Sequence, residues 1–434
     1  MQVSHDPVFV RRRRVALLVA LTLMLALIIS TRWVWAAATA PDGDPATATS
    51  GSAAAQPLAA AASEPATQSS TASPSAPPSV AAPKPSASVK QGDLAPSGET
   101  TPVRIQRLSG NLASKSVDAS VNGLVFAQNM MYQHSISVFG ADGALLKTIP
   151  DTVDLSRFGI AGHPGLSKGA PVEMAFSPDG RTAWVSNYHM YGEGFSAEPK
   201  DTCSSGDGAT NSFLYKVDTS SLEIVKVVEV GVVPKYVAVT PDGKRVLVTN
   251  WCSMDINVID TATDTVVATV PSGGRYPRGI AVAKDSRTAY VALMGSSKVI
   301  ALDLTTMAVR DFATPGSRTR HLTMSPDGTK VYATNSGDNN VVELDAATGA
   351  ILRKVTVGAE PRSMTVSADG GALYVVNYDA ATMSKIRISD FTVVATLPTD
   401  GNPIGITYEP TKKAVWVACY GGTILVFDDS RKAA

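Results

Sequence analysis

One short pattern recurs through most of the chain at nearly constant spacing. With the turn PDG as marker, its last position falls at Gly243, Ser286, Gly328, Gly370 and Lys412, at intervals of 43, 42, 42 and 42 residues. Two further copies end at Gly180 and Gly123; each is separated from the next copy by one repeat plus an insertion, of about 21 and about 15 residues respectively. Seven units result. Each carries four short apolar runs separated by turn signals, as in YVAVT, RVLVTN, INVID and TVVATV around Gly243. Alternation of Val, Ile and Tyr with polar residues has the two-residue period of a strand, and no run shows the 3.6-residue period of a helix. Four strands every 42 residues or so mark a propeller blade. The sequence therefore predicts an all-β, seven-bladed β-propeller over residues 101–430.

The last unit stops at TILVFDDS, before a fourth strand, while VRIQRLSG at 103–110 reads like the missing one. Lending the first strand to the last blade removes two open sheet edges, which are a hazard for any β protein. Residues 103–110 are thus expected to pair beside 423–427.

The residues before the repeat are of another kind. RRRR at 11–14 precedes the apolar run VALLVALTLMLALIIS at 15–30, followed by small residues through Ala38 and Ala40. This is the pattern of an export signal, and Trp33 and Trp35 leave open the reading of an uncleaved signal anchor, a single N-terminal transmembrane helix. Residues 1–40 are taken as signal peptide or signal anchor. Residues 41–100 are mostly Ala, Ser, Pro and Thr, too poor in large apolar side chains to offset the entropy of ordering, and read as a disordered linker. The propeller is therefore expected to be extracytoplasmic: secreted, periplasmic or at the cell surface. Zero formal net charge and 18 % charged residues give no bulk attraction to nucleic acid or anionic lipid.

The runs WVSN at 184–187, VLVTN at 246–250, VYATN at 331–335 and LYVVN at 373–377, each followed by a V.VID-like strand, resemble the YVTN-repeat, YncE-like family of seven-bladed propellers. The resemblance spans about 103–430. It implies the fold and an exported protein but not an activity, because such propellers include lactonases, cofactor-carrying subunits and plain binding modules.

What varies between copies is where a site is sought. The inner strand of each blade begins eight residues before the marker, at Lys115, Val172, Lys235, Arg278, Arg320, Arg362 and Ile404. Five cations there predict a positive ring at the channel mouth, suited to a carboxylate or phosphate; the competing reading is that each pairs with acids between blades. Arg275 and Arg318 lie in neighbouring inter-blade loops. The insertions 151–171 and 187–213 fall on the same face, and Tyr188, His189, Tyr191 and Phe195 make the second an expected lid. Trp251 is the candidate exposed aromatic, free to stack on a ligand or on the lid. Cys203 in the lid and Cys252 in the next blade's equivalent loop are expected to bridge, and Cys419 to stay a buried free thiol. The Asn column (Asn187, Asn250, Asn335, Asn377) is read as turn-forming.

No catalytic signature appears: there is no HExxH, P-loop, paired-Cys zinc spacing or GxSxG. No cofactor is expected. The preferred reading is a binding module with sites at Lys115, Lys235, Arg278, Arg320, Arg362, His189 and Trp251, for an anionic cell-envelope ligand or a protein partner. The rivals are a lactonase-like hydrolase with a metal at His189, and a purely architectural surface module.

Overall fold

A computed structural model describes residues 95–431; the expected signal or anchor and nearly all of the expected linker lie outside them. Among the described residues, seven antiparallel four-stranded sheets follow one another along the chain. They are the blades of a propeller. Blade one, for example, runs Ser116–Ala119, Leu124–Asn129, Ser135–Gly140 and Leu145–Pro150. The ring closes as the sequence predicts: Val103–Ser109 pairs antiparallel with Thr423–Asp428, completing blade seven as its outermost strand.

Local chemistry sets the blades. Asp carboxylates of the PDG turns accept the backbone N–H two residues on, as Asp242 does from Lys244 at 3.1 Å and Asp369 from Gly371 at 3.1 Å. The marker glycine takes the left-handed φ that the turn demands, 71° at both Gly243 and Gly370, a region costly to side chains with a Cβ. Side chains of alternate residues pack between neighbouring blades, as Trp184 and Leu214 of blade two do with Val237, Val246 and Val248 of blade three. At the axis, backbones approach very closely. A Cβ on Gly279 would lie 2.8 Å from His321 Cα, and one on Gly405 2.8 Å from Ser116 Cα, so these inner-strand positions accept only glycine.

Three features refine the sequence reading. Residues Ser97–Thr100, expected at the end of the linker, are ordered: Ser97 donates to Asp369 and Ser367, and Thr100 is buried against Lys385. Buried hydrogen bonds, rather than apolar bulk, hold them. The first insertion forms its own hairpin, Thr152–Asp154 with Leu166–Lys168, and Lys168 bridges to Tyr191 of the second. The Asn column is buried throughout: Asn250, Asn335 and Asn377 donate to side chains at the start of the next strand, and Asn187 donates to the Phe213 carbonyl.

Cys203 and Cys252 are joined, with Cα atoms 5.3 Å apart, inside an apolar cluster with Tyr188, Val232, Val233 and Trp251. A buried disulfide points to folding in an oxidising, extracytoplasmic compartment. Cys419 is a buried free thiol whose pKa is pushed up to about 12 by burial. Among the described residues no helix is long and apolar enough to cross a membrane.

Candidate functional site

The cation column occupies a special backbone position. In blades two to seven the inner strand slips register at its first pair, between Pro171 and Glu173, Pro234 and Tyr236, and equivalently through to Pro403 and Gly405. Such a bulge leaves one residue unpaired and re-aims its side chain. The column residue lies in that slip in every case. A proline precedes it in five blades, at the first strand position, where a missing N–H costs no ladder bond. In three blades the bulge is tied down from the preceding blade: Ser116 donates to the Val172 carbonyl at 2.9 Å, Thr249 to that of Arg278 at 2.8 Å and Thr334 to that of Arg362 at 2.9 Å.

Four of the five head groups are paired with acids. Lys115 pairs with Glu173 of the next blade at 3.0 Å. Lys235 lies 3.5 Å from Asp201, which comes from the second insertion, and 4.2 Å from the Tyr188 ring centroid. Glu360 serves three arginines, Arg362 at 2.8 Å, Arg318 at 3.6 Å and Arg320 at 3.8 Å. Arg362 also lies 3.3 Å above the Tyr378 ring. Arg278 is the exception. It is only 6 % exposed, yet among the described residues its guanidinium makes no salt bridge and no hydrogen bond; Glu173 and Asp201 act on it from farther away. The Nε atoms of Arg320 and Arg362 are fully buried without an acceptor.

These charges feel one another across the ring. Burial lowers the Lys115 pKa to about 8; Glu173 opposes the shift, and the positive charges of Arg278 and Arg320 add to it. Lys235 is held well below the usual lysine range by burial and then by Arg278. The Arg320 pKa is lowered by burial and by repulsion from Arg278 and Arg362, with Glu360 offsetting part. A guanidinium keeps its proton regardless, so the repulsion is a standing cost that an added anion would relieve. Cations from blades one, three, four, five and six thus converge on one opening.

Beneath them the channel narrows to a cavity of about 150 Å³, lined in part by Glu173, Tyr236, His321, Asp118, Thr365 and Thr407. The Tyr236 hydroxyl meets His321 Nε2 at 2.8 Å, reaching past blade four, where Gly279 presents no side chain. Burial, Arg278 and Lys115 lower the His321 pKa to about 3, keeping the ring neutral. Burial raises Asp118 to about 7. The axis therefore runs from a positive mouth to a weakly acidic carboxyl.

Two candidates are placed differently. His189 is buried inside the second insertion, its Nε2 3.0 Å from the Ser196 carbonyl and its ring edge-on to Tyr191; none of these partners is a column cation. Trp251 is buried rather than exposed. It stacks on Tyr276 at 4.4 Å and donates Nε1 to the Asp201 carbonyl at 2.9 Å, so of its two expected roles the structure shows the contact with the lid. It does reach the column through Lys235, 5.3 Å from its ring. Among the described residues no group of three or more His, Cys, Asp or Glu side chains is placed to hold a metal ion.

Sequence reasoning missed Asp201, Glu360, Tyr378 and Tyr420. For the tyrosines a signal existed. The position after the second strand of each blade reads Tyr188, Trp251, Tyr378 and Tyr420 in four of seven copies, an aromatic column beside the cationic one. Asp201 had none, because it lies in an insertion outside the repeat.

No protein-family model matches the chain, and no curated protein matches it. Among solved structures, the hydrazine synthase of Kuenenia stuttgartiensis superposes with a TM-score of 0.58 at 18 % identity, over 75 % of this chain and 97 % of that one. At that identity the likeness supports the fold alone.

Proposed function

We propose that this propeller is an extracytoplasmic binding module that receives an anionic group, carried by a cell-envelope ligand or by an acidic segment of a protein partner, at the mouth of its channel. One observation carries the reading: Arg278, buried in a ring of cations, has no salt bridge and no hydrogen-bond acceptor for its guanidinium among the described residues, and Glu173 and Asp201 compensate it only from a distance. A buried charge without a partner is expensive, and a multivalent anion would supply the missing acceptors while relieving the repulsion among its neighbours. The aromatic column frames the opening, with Tyr188 and Trp251 beside Lys235 and Tyr378 beneath Arg362. The resemblance to YVTN-repeat, YncE-like propellers belongs to this proposal and rests on the runs WVSN, VLVTN, VYATN and LYVVN.

Citrate and pyrophosphate are suitable probes. Calorimetry with the full-length protein is expected to show binding that weakens with salt, and that falls at least tenfold in Arg278→Met and further in Arg278→Met/Arg320→Met. Without anion, Arg278→Met is expected to raise the unfolding midpoint, since it removes a desolvated charge that repels Arg320, Arg362 and Lys235 and that Glu173 and Asp201 offset only in part. Wild-type-like affinity in the double variant sinks the proposal.

A further inference from the structure

We propose a second ligand site, on the rim where blade one meets the first insertion, that takes a neutral polyhydroxylated ligand the size of a short oligosaccharide. A cleft of about 760 Å³ opens there, lined in part by Tyr132, Gln133, His134, Asp151, Lys168 and Tyr191. That volume lies within the usual range for small-molecule pockets, about 300–1,000 Å³. None of these residues belongs to the cation column, so the site stands or falls independently of the channel mouth.

The turn that builds the cleft departs from the repeat. Blade one leaves five residues between its second and third strands, Asn129 to Ser135, where blades three, five and six leave four, as from Asn250 to Asp255. The last residue of the turn is left-handed in all of them, with φ of 46° at His134, 59° at Met254, 55° at Asn339 and 50° at Ala381. The longer turn of blade one adds a second such position, Tyr132 at φ 65°. A bulky side chain seldom adopts this conformation, and where it does a functional reason is worth seeking. Its effect here is to stand the ring in solvent: Tyr132 is 89 % exposed. A free aromatic face beside polar groups suits a pyranose ring, which is apolar on its C–H face and carries hydroxyls around its edge.

Asp151 supplies the polar half. The residue is 3 % exposed, and its Oδ2 is buried without a hydrogen-bond donor. His134 Nδ1 stops 3.5 Å short of that atom, and the other oxygen receives only a 3.3 Å bond from Thr152. An unsatisfied buried acceptor costs free energy that a ligand hydroxyl would recover. The charge balance selects the ligand class. Lys168 disfavours a cation, Asp151, whose pKa burial raises to about 7, offsets that lysine against an anion when ionised, and the amide of Gln133 and the hydroxyl of Thr148 line the same cleft. A neutral molecule rich in hydroxyls meets all of them.

The test uses saturation-transfer NMR and calorimetry on the full-length protein, with maltotriose, triacetylchitotriose and the cationic, deacetylated chitotriose. Transfer to at least one neutral sugar is expected, with affinity reduced at least tenfold in Tyr132→Ala and in Asp151→Asn. Tyr132 is exposed, so its variant should keep the unfolding midpoint and the citrate affinity of the parent. Absence of transfer to both neutral sugars, undiminished binding in Tyr132→Ala, or binding of the cationic sugar alone overturns the proposal.

Discussion

Lys385 Nζ lies 2.7 Å from Asp429 Oδ1, with both side chains fully buried. Lys385 belongs to blade six, and Asp429 follows the last strand of blade seven. The same ammonium donates to the Thr100 carbonyl at 2.9 Å, and Tyr374 donates to the other Asp429 oxygen. One buried cation thus gathers the two ends of the described domain where the ring closes.

Removing one partner should therefore cost far more than removing both. Lys385→Met leaves Asp429 buried and unpaired, and is expected to destabilise the domain by about 3–5 kcal/mol. In Lys385→Met/Asp429→Leu much of that loss should return. Urea unfolding of the two variants checks the difference; equal losses would refute the pairing as the cause.

Gly279 tests how tightly the inner strands approach. A Cβ there meets His321 Cα at 2.8 Å, and the Arg320 carbonyl and Leu322 amide at 2.9 Å each. These are backbone atoms with no easy escape, so Gly279→Ala is expected to cost about 1–3 kcal/mol. Gly401→Ala, with nothing within 4 Å of the new methyl, should be near neutral. Thermal denaturation of both variants provides the comparison.

Asp118 should leave a mark on the pH dependence of stability. Burial raises its folded-state pKa to about 7 from an ordinary 3.8. Between those values the unfolded chain has released its proton while the folded domain retains it, so this residue makes stability fall as pH rises from about 4 to 7. Asp118→Asn abolishes that contribution. The variant should match the parent near pH 3.5 and exceed it at pH 7.5, by about 1–2 kcal/mol once channel water is allowed for. A difference curve flat across this range would contradict the assignment.

The bridge between Cys203 and Cys252 spans 49 positions of sequence and should constrain the unfolded chain by about 4 kcal/mol in the loop-entropy model. Cys203→Ala/Cys252→Ala is expected to lose most of this. It should also change citrate affinity at least severalfold, because Asp201, which competes with an anion for Lys235, and Tyr188, which packs on it, lie on the same pinned segment. Unchanged anion affinity would show that the insertion holds its place without the bridge.

How much was legible differs between architecture and site. The repeat interval, the PDG turns and the truncated last unit together dictated blades and closure, because each is a local rule applied seven times. The cation column was legible for the same reason: a fixed offset within a repeat becomes a fixed height in the channel. Glu360 and Asp201 were not. Their roles depend on which loop reaches which arginine or lysine, and no offset encodes that. Trp251 shows the same limit, since its burial follows from Tyr276 and an insertion covering it.

By itself, then, the sequence determined seven copies of a four-stranded unit, the lending of Val103–Ser109 to the last of them, the joined cysteines and the presence of five cations at one level. Only the tertiary structure decided which of those cations are satisfied. Pairing depends on distances between blades that are remote in sequence, and these place Glu360 among three arginines while leaving Arg278 buried with no hydrogen-bond acceptor among the described residues.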